Sequence, residues 1–384
     1  MLNRSGADRV LERLERLYRI GGGEGANRPG YSPEEQEGCD LVASWMEEAG
    51  LEVEWDPFGN LVGRLHGTRP ELPEVWTGSH LDSVPSGGKF DGSLGVVAGL
   101  EAVERTGRKG RTIATAVFRA EEGVRFGGCL GSRALCGRLG DEELDTLGVG
   151  GVSARDAVTR LALPRGVPQL LPGTFVELHV EQGPRLDALG APLGVVTAIA
   201  GQLRTKVVFQ GVAGHAGTTP MAARDDALVS AAEFILRARA AALSEDAVAT
   251  VGEVEVEPGA VNVIPGRVTL SLDARAGDAE TLARLAAELG ADASGRNDPV
   301  PMSGDVRTVL KDALERRGAS SVELPSWAGH DAGVLAAAGV PSGMLFVRSL
   351  AGGASHSPAE ESSPDDVALA VEVLADALGR LATA

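Results

Sequence analysis

Four separated segments of this chain carry side chains able to bind a cation or move a proton. GSHLDSVPSGGKFDG, Gly78 to Gly92, brings His80, Asp82 and Asp91 into a glycine-rich stretch just past an apolar strand. Ligands of open α/β sheets bind beyond the carboxyl ends of strands. His80 and Asp91 therefore read as metal ligands, and Asp82 as a carboxylate that fixes the imidazole tautomer. A plainer reading makes these aspartates caps of turns. Glu121 and Glu122 follow an apolar run ending at Phe118. Adjacent carboxylates repel unless a cation or a shared proton compensates, which suits one as a metal ligand and the other as a proton shuttle; an exposed acidic turn has the same composition. ELHVEQGP sets His179 on a strand with Glu177 and Glu181 on the same face, although a lone strand histidine is commonly structural. After the apolar run GMLFVR, GGASHSPAE delivers His356 in a glycine and serine loop.

The conjunction outweighs each member. His80, Asp91, Glu122, His179 and His356 suffice for two metals bridged by one carboxylate. Nitrogen and oxygen donors without thiolate suit Zn, Mn, Co or Ni, and a paired site of that kind activates water and polarises a carbonyl.

The elements that must position these groups follow from periodicity. Val10, Leu11, Leu14, Leu17 and Tyr18 recur at helical spacing, and Ser32, Pro33 and Glu35 open a second helix with a capping-box pattern that ends at Gly50. Leu51 to Trp55 and Leu61 to Leu65 read as strands around a Gly59-Asn60 turn. Strand Val75–Thr77, helix Leu94–Glu104, strand Thr112–Phe118, helices near Arg133 and Ala154, and strand Phe175–Val180 then alternate, which predicts an α/β layer architecture. From Lys206 the order becomes strand, a helix over Ala222–Leu243, strands Val248–Val256 and Arg267–Leu272, and helix Ala279–Leu289, like a small ferredoxin-like layer. Helices over Val306–Arg316, near Ala332 and over Asp365–Leu381, with strand Gly343–Val347, restore the first pattern. The expectation is a discontinuous catalytic domain, 1–204 and 303–384, interrupted by an inserted domain over 205–302.

Composition narrows the partners. Thirty-six Lys and Arg against 54 Asp and Glu give a net charge of −18, which repels phosphate backbones and anionic lipid heads, so neither nucleic acid nor a membrane is expected. The three cysteines, Cys39, Cys129 and Cys136, form no CxxC pair, and Met1 to Val10 has no apolar leader character. A cytoplasmic protein is expected.

Taken together, GSHLDSVPSGGKFDGSLGV, EEGVRFGGCLGSRAL, FVELHVEQGP, GVAGHAGTTPMAARDDAL, NVIPG, LDAR, AGHDAG and SHSPAE resemble the hydantoinase/carbamoylase branch of the zinc aminoacylase and carboxypeptidase family. That branch contains N-carbamoyl-L-amino acid hydrolases, β-ureidopropionases and allantoate amidohydrolases. The likeness runs in order from about Tyr31 to Glu360. It implies a zinc-peptidase-like catalytic domain, with a central mixed sheet flanked by helices, and an inserted ferredoxin-like lid and dimerisation domain. It further implies a first divalent ion on His80, Asp91 and His179 and a second on Asp91, Glu122 and His356. Glu121 would be the general base. His215 would reach the active site of a partner subunit in a homodimer and stabilise the oxyanion. Asn262 and Arg275 would bind the carboxylate of a small-molecule substrate, with Gln182 and Arg204 as further substrate contacts.

Plainer alternatives stand beside these roles. Arg275 could pair with Asp273 or Asp278, Asn262 could build a turn, and His215 could be a solvated imidazole. His330 reads as a helix cap or a neighbour of the site, and His66 as inert. Two departures from the family pattern bear on specificity and assembly: Trp327 stands where a small residue is usual, and Gly290–Pro301 is short for a closing strand. The expected activity is hydrolysis of the carbamoyl or ureido C–N bond of N-carbamoyl-L-amino acids or allantoate. The alternatives are an aminoacylase or peptidase of the wider family and a binding protein with a decayed site.

Overall fold

A computed structural model describes residues 4–146, 148–161 and 167–383. In chain order the elements are α1 (Arg4–Tyr18), α2 (Pro33–Glu48), β1 (Glu52–Trp55), β2 (Leu61–Leu65), β3 (Val75–His80), α3 (Ser93–Thr106), β4 (Ile113–Phe118), α4 (Leu130–Leu135), α5 (Asp141–Asp145), α6 (Ala154–Arg160), β5 (Thr174–Val180), α7 (Arg185–Leu189) and β6 (Leu193–Ile199). There follow β7 (Gly201–Gln210), β8 (Gly214–His215), α8 (Ala227–Ser244), β9 (Val248–Thr250), β10 (Val254–Glu257), β11 (Val263–Ile264), β12 (Arg267–Ala276), α9 (Ala279–Leu289) and β13 (Arg296–Asn297). The chain closes with β14 (Val300–Pro301), α10 (Gly304–Glu315), β15 (Val322–Ser326), α11 (Asp331–Ala337), β16 (Ser342–Val347) and α12 (Pro364–Leu381).

Two compact units result: residues 1–197, 301–324 and 329–384 form the first, and residues 198–300 and 325–328 the second. The first is built on a mixed sheet of order β1-β2-β4-β3-β5-β16-β6. β3, β4, β5 and β16 run parallel to their neighbours in this set, while β1, β2 and β6 pair antiparallel. β3, β4 and β16 are buried along their whole length, as parallel strands covered on both faces must be. Helix α3, with Leu94, Val96, Val97, Leu100 and Val103 buried, shares one core with α1, α10 and α12. The central mixed sheet with flanking helices is the architecture expected.

The second unit carries a sheet of order β10-β12-β7-β13, with β9 also on β12. Val268, Leu270, Leu272 and Ala274 alternate to its inner face and pack on Ala231, Phe234 and Ala238 of α8 and Leu282, Leu285 and Leu289 of α9. All ten residues of β7 pair with β12, from Gly201 on Ala276 to Gln210 on Arg267, so a boundary at 204/205 falls inside this strand.

Several elements differ from the sequence reading. β3 continues to His80, so this imidazole ends a strand and does not lie in the loop beyond. The helix expected from Ala222 starts at Ala227, because the Asp226 side chain accepts the Leu228 N–H and caps it there. The strand expected over Val248–Val256 is two strands. β6 and β15 were not anticipated; glycines such as Gly194 obscure the alternation.

Candidate metal centre and active site

The turn after β3, the start of α3, the β4 end, the β5 end and the loop after β16 converge in the first unit. His80 and His179, both 1% exposed, end or nearly end parallel strands separated by one hydrogen-bonded step. Asp91 precedes Gly92, the residue before α3. Gly92 has φ +60, and a Cβ there would lie 2.4 Å from His80 Cε1, so only glycine lets the helix start this close to the imidazole.

Asp91 divides its carboxylate. Oδ1 lies 3.5 Å from His80 Nε2 and 3.2 Å from His179 Nε2, whereas Oδ2 lies 3.4 Å from His356 Nε2. His356 Nε2 is in turn 3.2 Å from Glu122 Oε2. Two clusters thus share one carboxylate: His80, Asp91 and His179 on one side, Asp91, Glu122 and His356 on the other. The opposite ring nitrogens are already used. His80 Nδ1 lies 3.1 Å from the Asp82 carbonyl and His179 Nδ1 2.9 Å from the Val180 carbonyl. In its neutral form each ring would carry its hydrogen on Nδ1, which leaves Nε2, on the Asp91 side, as the nitrogen able to bind a cation.

This donor set fits divalent cations: imidazole nitrogens and carboxylate oxygens, no thiolate, with outer partners that fix each ring. Electrostatics agree. Burial opposes ionisation of Asp91, yet bonds to His179, His356 and His80 hold its carboxyl well below the usual range. Burial also opposes charging His179, but Asp91 carries it up to about 9, and bonds to Asp91 and Glu122 raise His356 to about 10. Imidazolium charge here occupies the electrostatic role a cation would fill.

Glu121 lies beside the first cluster, its Oε2 3.8 Å from His80 Nε2. Cys129 Sγ donates to Glu121 Oε1 at 3.4 Å. Burial is the main reason that the Glu121 carboxyl is raised well above its ordinary range. The Asp82 carboxylate accepts the backbone N–H groups of Glu121 at 2.9 Å and of Glu122 at 3.1 Å. Asp82 therefore fixes the backbone of both glutamates besides closing on His80, a second task the sequence reading did not foresee. Gln182 Nε2 donates to Asp91 Oδ2 at 2.8 Å, and Gln182 Oε1 is buried without a hydrogen-bond partner. Ala120, Cys129, Gln182 and His356 all have φ between 53° and 58°. Left-handed backbone at four non-glycine residues around one site is conformational cost concentrated where side chains must be aimed.

Of the other neighbours, Glu360 is not singled out by the sequence, whereas Glu177 and Glu181 share the His179 face there and His330 reads as a helix cap or a neighbour of the site. Glu360 accepts the N–H groups of Phe90 and Asp91, at 2.6 and 3.0 Å, and anchors the aspartate that the two clusters share; burial and the Asp91 charge raise its own carboxyl to about 7. Glu177 accepts from Ser79 Oγ at 2.7 Å and from the Ala332 N–H at 2.8 Å. His330 precedes α11 and lies against His179, ring centroids 4.5 Å apart; burial first, and the His179 charge second, push its pKa well down. Glu181 points elsewhere, accepting the first N–H groups of α7 from Arg185 and Leu186.

The second unit holds the remaining expected residues. His215, exposed on β8, accepts the N–H groups of Gly217 and Thr218 at Nδ1, at 3.0 and 3.2 Å, so its hydrogen sits on Nε2. Asn262 is exposed just before β11, and its carbonyl accepts the Ala216 N–H at 3.0 Å. On β12, Arg275 Nε and Nη2 donate to the two oxygens of Asp273 at 3.0 and 3.2 Å, and Nη1 donates to the Trp327 carbonyl. Arg204 Nε donates to the same Asp273 at 2.9 Å. The Asp273 partner foreseen for Arg275 is thus present.

The sequence profile of peptidase family M20/M25/M40 matches residues 76–380, a span that begins in β3 and includes every residue of both clusters. The chain belongs to that family. Within it the likeness is to the hydantoinase/carbamoylase branch. An N-carbamoyl-L-amino acid amidohydrolase of Geobacillus stearothermophilus is 41% identical, covering 98% of each chain. An allantoate amidohydrolase of Bacillus subtilis is 35% identical over 93% of each. The crystal structure of a hydantoinase/carbamoylase family amidase from Burkholderia multivorans superposes with a TM-score of 0.90 at 32% identity, covering 98% of each chain.

Proposed function

We propose that this chain is a dinuclear metal-dependent amidohydrolase that cleaves the carbamoyl or ureido C–N bond of N-carbamoyl-L-amino acids or of allantoate. The divided carboxylate of Asp91 is the observation that carries this reading. His80, Asp91 and His179 would hold one divalent ion, and Asp91, Glu122 and His356 a second, drawn from Zn, Mn, Co or Ni. Bound there, the ions supply activation of water and polarisation of the carbonyl.

The chain's own groups do the rest. Glu121 takes a proton from the attacking water and passes it to the leaving nitrogen; a carboxyl whose burial raises its proton affinity can hold that proton between the two steps. For a carbamoyl amino acid, water adds to the ureido carbonyl and the bond to the α-nitrogen breaks. The amino acid leaves, and the carbamic acid decomposes to ammonia and carbon dioxide. Gln182 Oε1, buried and unpartnered, would accept a substrate N–H. His215, with its hydrogen on Nε2, would donate to the developing oxyanion in a partner subunit. Asn262, Arg275 and Arg204 would take the substrate carboxylate.

Residues 205–302 would act as the lid and dimerisation domain of a homodimer. Support comes from α8, which exposes Leu228, Val229, Leu236 and Leu243 on the side opposite its packed face, Leu236 and Leu243 by more than two-thirds. A cytoplasmic location is supported by Cys39, Cys129 and Cys136, all free thiols. Among the described residues no helix is long and apolar enough to cross a membrane.

The test is ammonia release by metal-stripped protein reloaded with each metal, over a panel of N-carbamoyl-L-amino acids, β-ureidopropionate and allantoate. Release from one class is expected. Cleavage of N-acyl amino acids or dipeptides, with the panel inert, replaces this reading by an aminoacylase or peptidase.

A further inference from the structure

Directly behind the glutamate pair lies a second group of charges that touches no metal-ligating residue. Glu35 and Arg119 are both wholly buried and form an ion pair, Arg119 Nη2 to Glu35 Oε2 at 2.7 Å and Nε to the same oxygen at 2.9 Å. Glu35 occupies the third position of α2, where a capping-box glutamate would return to the N-cap. The Ser32 hydroxyl does accept the Glu35 N–H. The Glu35 carboxylate instead accepts the Tyr31 N–H at 2.5 Å and, through Oε1, the Ala120 N–H at 3.1 Å.

Ala120 is the hinge of this arrangement. It joins β4 to Glu121 and has φ 53°, a left-handed conformation that costs an alanine free energy. Its surroundings hold it from every side. Arg119 N–H donates to Asn60 Oδ1 at 3.0 Å, and Asn60 Nδ2 donates to the Gly131 carbonyl at 2.9 Å. The Leu130 N–H donates to the Ala120 carbonyl at 3.1 Å. Gly30 lies so close that a Cβ there would come within 2.5 Å of the Ala120 Cβ. A buried ion pair is expensive to desolvate and is seldom a source of net stability, since apolar replacements are often neutral or better. What this pair does deliver is a directed acceptor at the Ala120 N–H, the first of three successive N–H groups in the turn, the next two being held by Asp82.

We propose that the buried Glu35–Arg119 pair is a positioning device: it holds Ala120 left-handed and thereby aims the Glu121 and Glu122 carboxylates. Neither residue touches substrate; both act through the Ala120 peptide. The proposal rests on the roles given above to Glu121 and Glu122.

The test compares Glu35→Gln, Arg119→Lys and the double variant Glu35→Gln with Ala120→Gly, each well below its Tm. In Glu35→Gln, kcat should fall about 100-fold with KM within about threefold, the size of loss that misplacement of reacting groups by an ångström produces. Titration of metal-stripped protein with Co²⁺, followed by the visible absorption of the bound ion, should show affinity weakened about 10-fold, as for loss of an outer-shell partner. Glycine adopts positive φ without penalty, so Ala120→Gly in the Glu35→Gln background should recover about 10-fold in kcat. Should Glu35→Gln fail to fold, Arg119→Lys, which keeps the charge but loses the fork, is read by the same kcat, KM and Co²⁺ measurements. A lowered Tm with unchanged kcat and unchanged Co²⁺ affinity overturns the proposal, as does a kcat loss that Ala120→Gly leaves untouched. The Co²⁺ titration reads the positioning of Glu122 even if the wild type turns over no carbamoyl substrate, so a failure of the functional reading is distinguishable from a failure of this one.

Discussion

The candidate metal-binding cluster of the first unit and the candidate substrate groups of the second are built on opposite principles. His80, Asp91 and His179 are at most 5% exposed, and each imidazole has its outer nitrogen tied to a backbone carbonyl. Charges buried this deeply are tolerated where opposite charge and hydrogen bonds compensate, and here Asp91 and the imidazoles around it compensate one another. By contrast, Arg204 is 66% exposed and His215 and Asn262 stand in solvent. Water satisfies what their few bonds leave over, so holding such groups at the surface costs little. One region is held in place from within the core; the other, Arg275 apart, stands largely in solvent. Chemistry should therefore fail more completely when the first is altered, and affinity or cross-subunit behaviour should change when the second is.

The largest effect should come from Glu121→Gln, which keeps the shape of the proton shuttle and removes its basicity. Turnover should drop about 10³- to 10⁴-fold, towards the upper end for a general base, while metal content measured by elemental analysis stays that of the wild type. Unchanged turnover would remove Glu121 from this role. Next is His215→Ala, expected to lower kcat about 10²- to 10³-fold by loss of an oxyanion donor, without lowering metal content. Mixed with Glu121→Gln subunits, His215→Ala subunits should regain part of the activity as hybrid dimers; no recovery would show that His215 does not serve a partner's site.

The same contrast explains what the sequence made legible. His80, Asp91, Glu122, His179 and His356 could be found because each follows or ends an apolar strand, and parallel strands deliver their ends to one edge of the sheet. The supporting carboxylates were harder to see. Glu360 holds Asp91 from 269 residues away and Glu35 holds Ala120 from 85 away; nothing in local spacing marks such partners. Glu35 even carries a capping signature that accounts for it without them. Asp82 was placed through its imidazole, whereas its bonds to the Glu121 and Glu122 backbone required the fold. In the second unit, Asp226 among Arg224-Asp225-Asp226 is an ordinary N-cap that moves the start of α8 by five residues, because a side-chain acceptor at the first turn outweighs the helix propensity of the alanines before it.

A smaller, graded effect should separate the regions through pH. In the metal-free protein, His179 and His356 titrate at about 9 and about 10, above the ordinary value of about 6.5. Raised imidazole pKa values stabilise the first unit fully below about pH 6.5, and that contribution is lost as pH rises towards 9 to 10. Metal binding requires neutral imidazole, so apparent affinity should rise with pH across this window, by up to about tenfold per unit for each proton displaced. Calorimetric titration of metal-stripped protein checks it, and an affinity independent of pH would take His179 and His356 out of the ligand set.

The smallest effect is assigned to Arg275→Lys, and it bears most directly on the second unit. Arg275 spends Nε and Nη2 on Asp273 and Nη1 on the Trp327 carbonyl, so its guanidinium is oriented before any ligand arrives. If that orientation presents the remaining N–H groups to a substrate carboxylate, lysine, with one charged point and no fork, should raise KM about 10-fold and leave kcat within about twofold. A substrate analogue with the carboxylate amidated should show no such difference between wild type and variant. If instead KM stays constant and only Tm falls, Arg275 is a strut between Asp273 and the 325–328 segment. The substrate carboxylate would then be read elsewhere, and the contrast between a built site and a waiting one would no longer extend to this arginine.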